Sequence, residues 1–175
     1  MKVSSKSITF WATALSVLVL DFITKQIAEA NLQRGQPVDV LGDLLRFTLG
    51  YNTGIAFGLS LGETSRWVLV GVTIATMALI FWLFRSVDAR HKLQILAFGL
   101  IMGGAAGNLL DRIFGSFGVI DFIDVGIGVA RFWTFNIADS AITVGAVLLV
   151  LASLFEHKEA APTVQKAGAG SGSSK

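Results

Sequence analysis

Four long apolar segments dominate the pattern of hydrophobic and polar positions along the chain. They cover residues 8–27, 67–84, 93–110 and 135–155, and the second contains no charged residue. A helix needs about 20 mostly apolar residues to cross a bilayer. At about 1.5 Å per residue, the segments of 18 residues reach about 27 Å. The pattern therefore predicts an α-helical integral membrane protein with four transmembrane helices.

The first segment has a basic start and an apolar run, as a signal peptide does. However, the run leads into the polar pair Asp21 and Lys25 and not into a small-residue cleavage site. We therefore interpret this segment as a retained membrane anchor, with a cleaved signal peptide as the alternative.

Composition agrees with a membrane protein. Of the 175 residues, 53% are hydrophobic and 15% charged, and the mean hydropathy is +0.68; soluble domains have about 25% charged residues. The absence of cysteine excludes disulfides, thiolate zinc sites and cysteine nucleophiles. The chain has 14 basic and 12 acidic residues, and this nearly even balance gives no indication of nucleic-acid binding. We predict a single membrane-embedded domain over residues 1–158 and a disordered cytoplasmic tail over residues 159–175.

Charge predicts the orientation. With both termini in the cytoplasm, the inner segments carry eight basic and three acidic residues, against six and nine in the rest of the chain. Cytoplasmic loops are enriched in Lys and Arg, and the short 85–92 connection is basic. Both termini are therefore predicted to be cytoplasmic.

This orientation leaves two outer segments, residues 28–66 and 113–134. In the first, residues 45–51 alternate in polarity and are rich in strand-forming types. Such a segment predicts a small extracytoplasmic β-sheet cradle, built from the first outer loop and lying on the membrane. From its length, we also predict that the part of this loop following Asn31 forms a lid.

Strongly polar residues in the spans gather toward the outer ends. A charge at mid-bilayer costs about 2.5–3.5 kcal/mol on insertion scales. Four chain regions deliver polar side chains to this one membrane face: Asp21 and Lys25; Asn108, Asp111 and Arg112; Asp121 and Asp124; Asn136 and Asp139.

Each polar group also has a structural explanation. Asp21 and Lys25 have the i, i+4 spacing of a helical ion pair, which we expect to be structural. Asn136 can cap a helix whose first turn contains Asp139, where the helix dipole favours an acid.

Asn108 and Arg112 share a helix face, pointing inward or at a lipid headgroup, and Asp111 and Asp124 can be solvated acids at the rim. Gly103, Gly104 and Gly107 are expected to allow close helix packing.

The predicted positions of the residues exclude several other types of active site. Both histidines, His91 and His157, lie on the predicted cytoplasmic side, so no outer Ser-His-Asp triad or histidine metal site can form. A Ser–Lys dyad would need Lys25, which Asp21 occupies, and Ser140 has no evident base.

A pair of carboxylates remains. Asp121 and Asp139 are 18 residues apart, and the loop between them contains Gly126 and Gly128, so the second acid can return beside the first. Two acids in a poorly solvated site cannot both ionise easily, so one keeps a proton. The ionised acid can then activate water while the other donates a proton. Spacing alone leaves the structural explanations open.

Five motifs in chain order resemble one family. They are DFITK at 21–25, NTGIAFG at 52–58, GGAAGNLLDR at 103–112, VIDF at 119–122 and FNIADS at 135–140. With them the chain resembles the lipoprotein signal peptidases, or signal peptidase II, from about residue 8 to residue 155.

The resemblance implies an activity. The family consists of aspartic endopeptidases, multi-pass proteins of the bacterial cytoplasmic (inner) membrane with four transmembrane helices and an extracytoplasmic cradle. They remove the signal peptide from diacylglyceryl-modified prolipoproteins by cleaving just before the lipidated cysteine. They use two aspartates and neither metal nor other cofactor, and the antibiotic globomycin inhibits them at the substrate site.

By motif position, the resemblance implies Asp121 and Asp139 as the catalytic residues. Asp124, three residues further on, is the obvious alternative, but the family pattern places the acid before Phe122. Membrane lipids are the implied surroundings, with the site at the outer face, and we expect a monomer. The expected substrate-binding or site-supporting residues are Asn52, Gly54, Asn108, Arg112 and Asn136.

Two other functions stay open on the residues alone. A small proton-coupled transporter would also have intramembrane acids, although nearer mid-bilayer. A non-catalytic membrane scaffold would leave the outer Asp and Asn residues unexplained.

Overall fold

A computed structural model of the chain describes residues 4–54 and 63–159. Four long helices and four short strands occur within these ranges. In chain order they are α1 Ser5–Asn31, β1 Val38–Leu41, β2 Leu45–Asn52, α2 Glu63–Ser86, α3 Lys92–Phe114, β3 Val119–Ile127, β4 Ala130–Arg131 and α4 Ile137–Glu159.

All four helices are long and apolar enough to cross a membrane. Three of the predicted spans lie inside α1, α2 and α3, and the fourth begins two residues before α4. The prediction of an α-helical membrane protein with four transmembrane helices is confirmed.

The central helix is α3, which packs against α1, α2 and α4. In its apolar window 61% of residues are buried, compared with 11–22% in the other three helices. Glycines allow this close approach: a Cβ added at Gly103 would lie 2.5 Å from the carbonyl oxygen of Ala14, and one at Gly104 would clash with that of Ala138. The packing role predicted for these glycines is therefore confirmed.

The small sheet is antiparallel, with strand order β1-β2-β3-β4. Here the prediction needs a correction, because only β1 and β2 come from the first outer loop. Strands β3 and β4 come from the connection between α3 and α4. An isolated two-stranded hairpin is marginally stable in water, so β2 gains stability by pairing with β3 as well as with β1.

The sheet packs against the end of the helix bundle where α1 and α3 end and α4 begins. Ala28 of α1 joins Leu49, Ile120 and Phe122 of the sheet in one apolar cluster. Phe135, just before α4, exchanges backbone hydrogen bonds of 2.8 and 3.0 Å with Ile123 of β3. This pairing holds the first turn of α4 beside β3.

Three predictions lie wholly or partly outside the described residues. They are positions 55–58 of the NTGIAFG motif, the last part of the predicted lid, and nearly all of the predicted tail.

Candidate active site

Asp121 lies near the start of β3, on the stretch of the strand that is most completely buried. Its side chain is only 3% exposed. Gly50 is its partner on β2. Because alternate residues of a strand face opposite sides of the sheet, Asp121 and Asp124, three positions apart, point in opposite directions.

Asp139 lies in the first turn of α4, which Asn136 caps. The Oδ1 atom of Asn136 accepts a 2.9 Å hydrogen bond from the backbone N–H of Asp139, and the Oδ2 atom of Asp139 accepts a 3.3 Å bond from the backbone N–H of Asn136. This reciprocal arrangement resembles a capping box, and the positive end of the helix dipole stabilises a carboxylate there. Asp139 is partly exposed.

Two asparagines connect the acids. The amide nitrogen of Asn136 donates to Oδ1 of Asp121 at 2.7 Å and to Oδ1 of Asn108 at 3.2 Å. The amide nitrogen of Asn108 in turn donates to Oδ1 of Asp139 at 2.8 Å. Both asparagines are buried. The structure therefore brings Asp121 and Asp139 into one hydrogen-bond network through these two amides.

The environment of Asp121 disfavours its charged form. Burial, followed by the negative charge of Asp139, raises the pKa of Asp121 to about 7. Hydrogen bonds from Asn136 and Asn52 and the charge of Lys25 act in the opposite direction without cancelling this rise. Near neutral pH, Asp121 can therefore either hold or release a proton, as an acid–base group must.

Lys25 is almost completely buried beside this network. Its Nζ atom lies 2.7 Å from Oδ2 of Asp21 and 2.7 Å from Oδ2 of Asp111, and it donates to Oδ1 of Asn108 at 3.1 Å. Asp21 also accepts a 2.9 Å bond from the backbone N–H of Ala138, which connects α1 to the first turn of α4. The predicted pair is thus one part of a cluster whose contacts lie on three helices, α1, α3 and α4.

Neither Asp111 nor Asp124 is a solvated acid of the rim, so that explanation is wrong for both. Asp111 is 16% exposed in its side chain and pairs with Lys25. Asp124 is 7% exposed; its Oδ1 lies 2.6 Å from Nε of Arg131, and its Oδ2 accepts a 3.1 Å bond from Thr48. Lys25 is distant in sequence from Asp111, and Arg131 lies seven residues after Asp124 on the neighbouring strand β4, so neither pair has the spacing of a helical ion pair that would reveal it.

The remaining predicted site residues surround the acids. Arg112 donates to the backbone oxygen of Asn108 at 3.2 Å, and its charge interacts with those of Asp139 and Asp121. Asn52 hydrogen-bonds Asp121, and its Oδ1 accepts a 2.9 Å bond from the backbone N–H of Gly54. Gly54 has a φ of +81°, a conformation that favours glycine.

Residues 4–54 and 63–159 contain no group of three or more His, Cys, Asp or Glu side chains placed to hold a metal ion. The geometry suits acid–base chemistry by two carboxylates. One acid has a pKa near neutrality, and the other lies at a helix N-terminus where its charge is stabilised.

The comparisons with known proteins point to one family. The model of a family described as signal peptidase (SPase) II matches residues 13–155. A lipoprotein signal peptidase of Mycobacterium tuberculosis is 40% identical over 150 residues, covering 82% of this chain and 70% of that protein. One from Hydrogenovibrio crunogenus is 38% identical over 157 residues, covering 88% and 90%.

Two solved structures, each described as a bacterial membrane enzyme structure obtained by the in meso method, share the fold. The one at 2.3 Å resolution has a TM-score of 0.78 at 29% identity and covers 89% of this chain and 93% of its own. The one at 1.9 Å has a TM-score of 0.75 at 31% identity and covers 83% and 92%.

Proposed function

Because this chain belongs to the signal peptidase II family and is a multi-pass membrane protease, we propose that Asp121 and Asp139 form its catalytic dyad. The observation that carries the proposal is the network in which Asn136 and Asn108 each donate to one acid. It draws together two carboxylates from different elements of the chain. The protease family does not support the two alternatives, a transporter and a non-catalytic scaffold.

The proposed substrate is a diacylglyceryl-modified prolipoprotein. The relatives are named lipoprotein signal peptidases, and the dyad lies where α3 ends and α4 begins, near one end of the bundle. A substrate with a lipid chain and a signal helix can keep both in the bilayer while its scissile bond reaches that end. Cleavage just before the lipidated cysteine would release the signal peptide.

In the proposed mechanism, ionised Asp139 takes a proton from a water molecule, which attacks the scissile carbonyl. Asp121, whose pKa is about 7, holds the dyad's proton and donates it as the C–N bond breaks and the amine leaves. The mechanism needs neither metal nor cofactor. Asn108 and Asn136 hold the acids, and Asn52, Gly54 and Arg112 are placed to support the site or contact the substrate backbone.

The proposed setting is the bacterial cytoplasmic (inner) membrane, with both termini in the cytoplasm and the site at the outer face. The distribution of basic residues supports this orientation. We propose that the enzyme acts as a monomer and that globomycin blocks it by occupying the substrate site.

A gel-shift cleavage assay in detergent tests the function. It compares a diacylglyceryl-modified prolipoprotein with its unmodified form, with EDTA present throughout and globomycin in a parallel series. We expect wild type to cut only the lipidated form, EDTA to have no effect and globomycin to block cleavage. Equal cleavage of both forms would contradict the proposed substrate, and loss of activity in EDTA would contradict the mechanism.

A further inference from the structure

The side chain of Lys25 uses all its hydrogen-bonding capacity inside the protein. It is 2% exposed and contacts three acceptors: Asp21, Asp111 and Asn108. An ammonium group has three N–H donors and no acceptor. An ion pair within α1 would need only Asp21. It does not explain why Lys25 also donates to Asn108 of α3.

The contact determines how the Asn108 amide is oriented. Its Oδ1 atom faces two donors, Lys25 at 3.1 Å and the amide of Asn136 at 3.2 Å, while its Nδ2 atom faces Oδ1 of Asp139 at 2.8 Å. Turning the amide over would set its NH₂ group against the ammonium and its oxygen against the carboxylate. Because an ammonium can only donate, Lys25 allows one orientation.

We infer that Lys25 is a positioning residue of the active site, which holds the Asn108 amide so that its NH₂ group is presented to Asp139. The inference rests on the proposed role of Asp139. It adds a function to a side chain whose spacing from Asp21 predicts only a structural pair. Lys25 has no contact of its own with Asp139 among the described hydrogen bonds, and it acts through Asn108.

Asn136 shows the same principle on the other side of the site. Its Oδ1 atom accepts from the backbone N–H of Asp139, so its NH₂ group must face Asp121. There the backbone of α4 sets the orientation, and substitutions cannot remove it. At Asn108 two side-chain donors, Lys25 and Asn136, hold the orientation. Lys25 is the donor that a substitution can remove without also removing a hydrogen bond to Asp121.

Several charged groups surround the site and bear on the design of a test. They are Asp21 on α1, Asp111 and Arg112 on α3, Asp121 on β3, and Asp139 on α4. Lys25→Met alone would leave the buried Asp21 and the partly buried Asp111 without their cation, and the protein could fail to fold. Lys25→Met combined with Asp111→Asn keeps the net charge of the cluster at −1, and the new amide oxygen can still accept from the backbone N–H of Ile120.

The experiment measures kcat and KM for the lipidated precursor, with thermal unfolding to verify folding. The variants are Asp111→Asn, Lys25→Met/Asp111→Asn, Asn108→Ala and the triple combination. We expect Lys25→Met/Asp111→Asn to have kcat on the order of 10²-fold below Asp111→Asn, with KM changed by less than about threefold. Adding Asn108→Ala should lower kcat by less than about threefold more, because both changes break the same link.

A pH profile separates positioning from a purely structural role. The charge of Lys25 lowers the pKa of Asp121, so the alkaline limb of the kcat–pH profile should lie at higher pH in Lys25→Met/Asp111→Asn than in Asp111→Asn. Lys6→Met is the matched control. Lys6 lies at the opposite end of α1 and donates to the carbonyl oxygens of Arg85 and Val87, so its loss should leave the profile unchanged.

Either of two results would overturn the inference. The first is a folded Lys25→Met/Asp111→Asn variant whose kcat is within about threefold of that of Asp111→Asn. The second is that the decreases in kcat caused by the Lys25 and Asn108 substitutions multiply when the substitutions are combined. Asp139→Asn distinguishes this failure from failure of the proposed function. If Asp139→Asn still cleaves, the dyad itself is wrong. If it is inactive while the Lys25 variants behave normally, only the role of Lys25 is wrong.

Discussion

Asp121 and Asp124 lie three residues apart on β3, and both are buried, yet they occupy opposite environments. Asp124 faces Arg131 at 2.6 Å and accepts a hydrogen bond from Thr48. Asp121 has hydrogen bonds from the neutral amides of Asn136 and Asn52 and a second acid, Asp139, close enough to raise its pKa. The alternation of the strand, which turns the two side chains to opposite faces, separates these environments.

The difference shows that burial alone does not make an acid reactive. A guanidinium in direct contact compensates the charge of a buried carboxylate, and the pair is then structural. Amide donors stabilise the charge less, and a neighbouring acid opposes it. Asp121 therefore has a pKa of about 7 and can exchange a proton during a reaction near neutral pH.

The largest difference is expected when each of the two acids is replaced in turn by asparagine. Asp121→Asn should lower kcat by on the order of 10³-fold or more, because the proposed proton donor is lost. Asp124→Asn should retain most activity, since that side chain points away from the network. Cleavage of the lipidated precursor by folded protein measures both. Substantial turnover by Asp121→Asn would mean that the two acids do not differ in the proposed way.

A second test uses pH. If Asp121 must be protonated, kcat/KM should fall about tenfold per pH unit above the pKa of about 7, because the proton is lost as pH rises. Asp124→Asn should follow the wild-type profile. Since the carboxylates of Asp121 and Asp139 interact, the alkaline fall of kcat/KM reports the titration of the pair and not of one residue. A flat profile up to pH 9 would contradict a protonated Asp121 in the active form.

The raised pKa of Asp121 also predicts how the stability of the protein depends on pH. The pKa of Asp121 is raised from its ordinary value of 3.8 to about 7 in the folded protein, so the folded state binds this proton more tightly. The contribution of Asp121 to stability is thus lost as pH rises from about 4 to about 7. Asp121→Asn should therefore gain melting temperature relative to wild type over this interval. A difference that is independent of pH would contradict the shift.

The smallest expected effect on activity comes from removing the ion pair between Arg131 and Asp124. Arg131→Met leaves Asp124 buried without its cation and should lower the free energy of unfolding by about 3 kcal/mol. The activity of the folded protein should change by less than about threefold, because Arg131 has no contact with the dyad among the described residues. Thermal unfolding and cleavage rate measure the two effects. A loss of activity as large as that of Asp121→Asn would show that the two faces of β3 are coupled.

Much of the architecture follows from local properties of the sequence. The lengths of the apolar segments predict the four helices, and polar side chains at one set of ends predict where the site lies. The position of Asn136 before an apolar run predicts the cap of α4, which the structure contains. These features depend on neighbours within a few residues, where periodicity and capping rules apply.

Tertiary structure alone decided which distant groups meet. Pairing of β2 with β3 joins two outer segments into one sheet, and the bonds of Phe135 to β3 bring the first turn of α4 beside Asp121. The partners of Asp111, Asp124 and Asn108 became visible only then, including the third contact of Lys25. The physical reason is that a buried carboxylate or ammonium needs compensation by some partner, but any suitable donor or acceptor can supply it. The sequence determines that such groups must be satisfied, and the packing of helices and strands selects the group that does so.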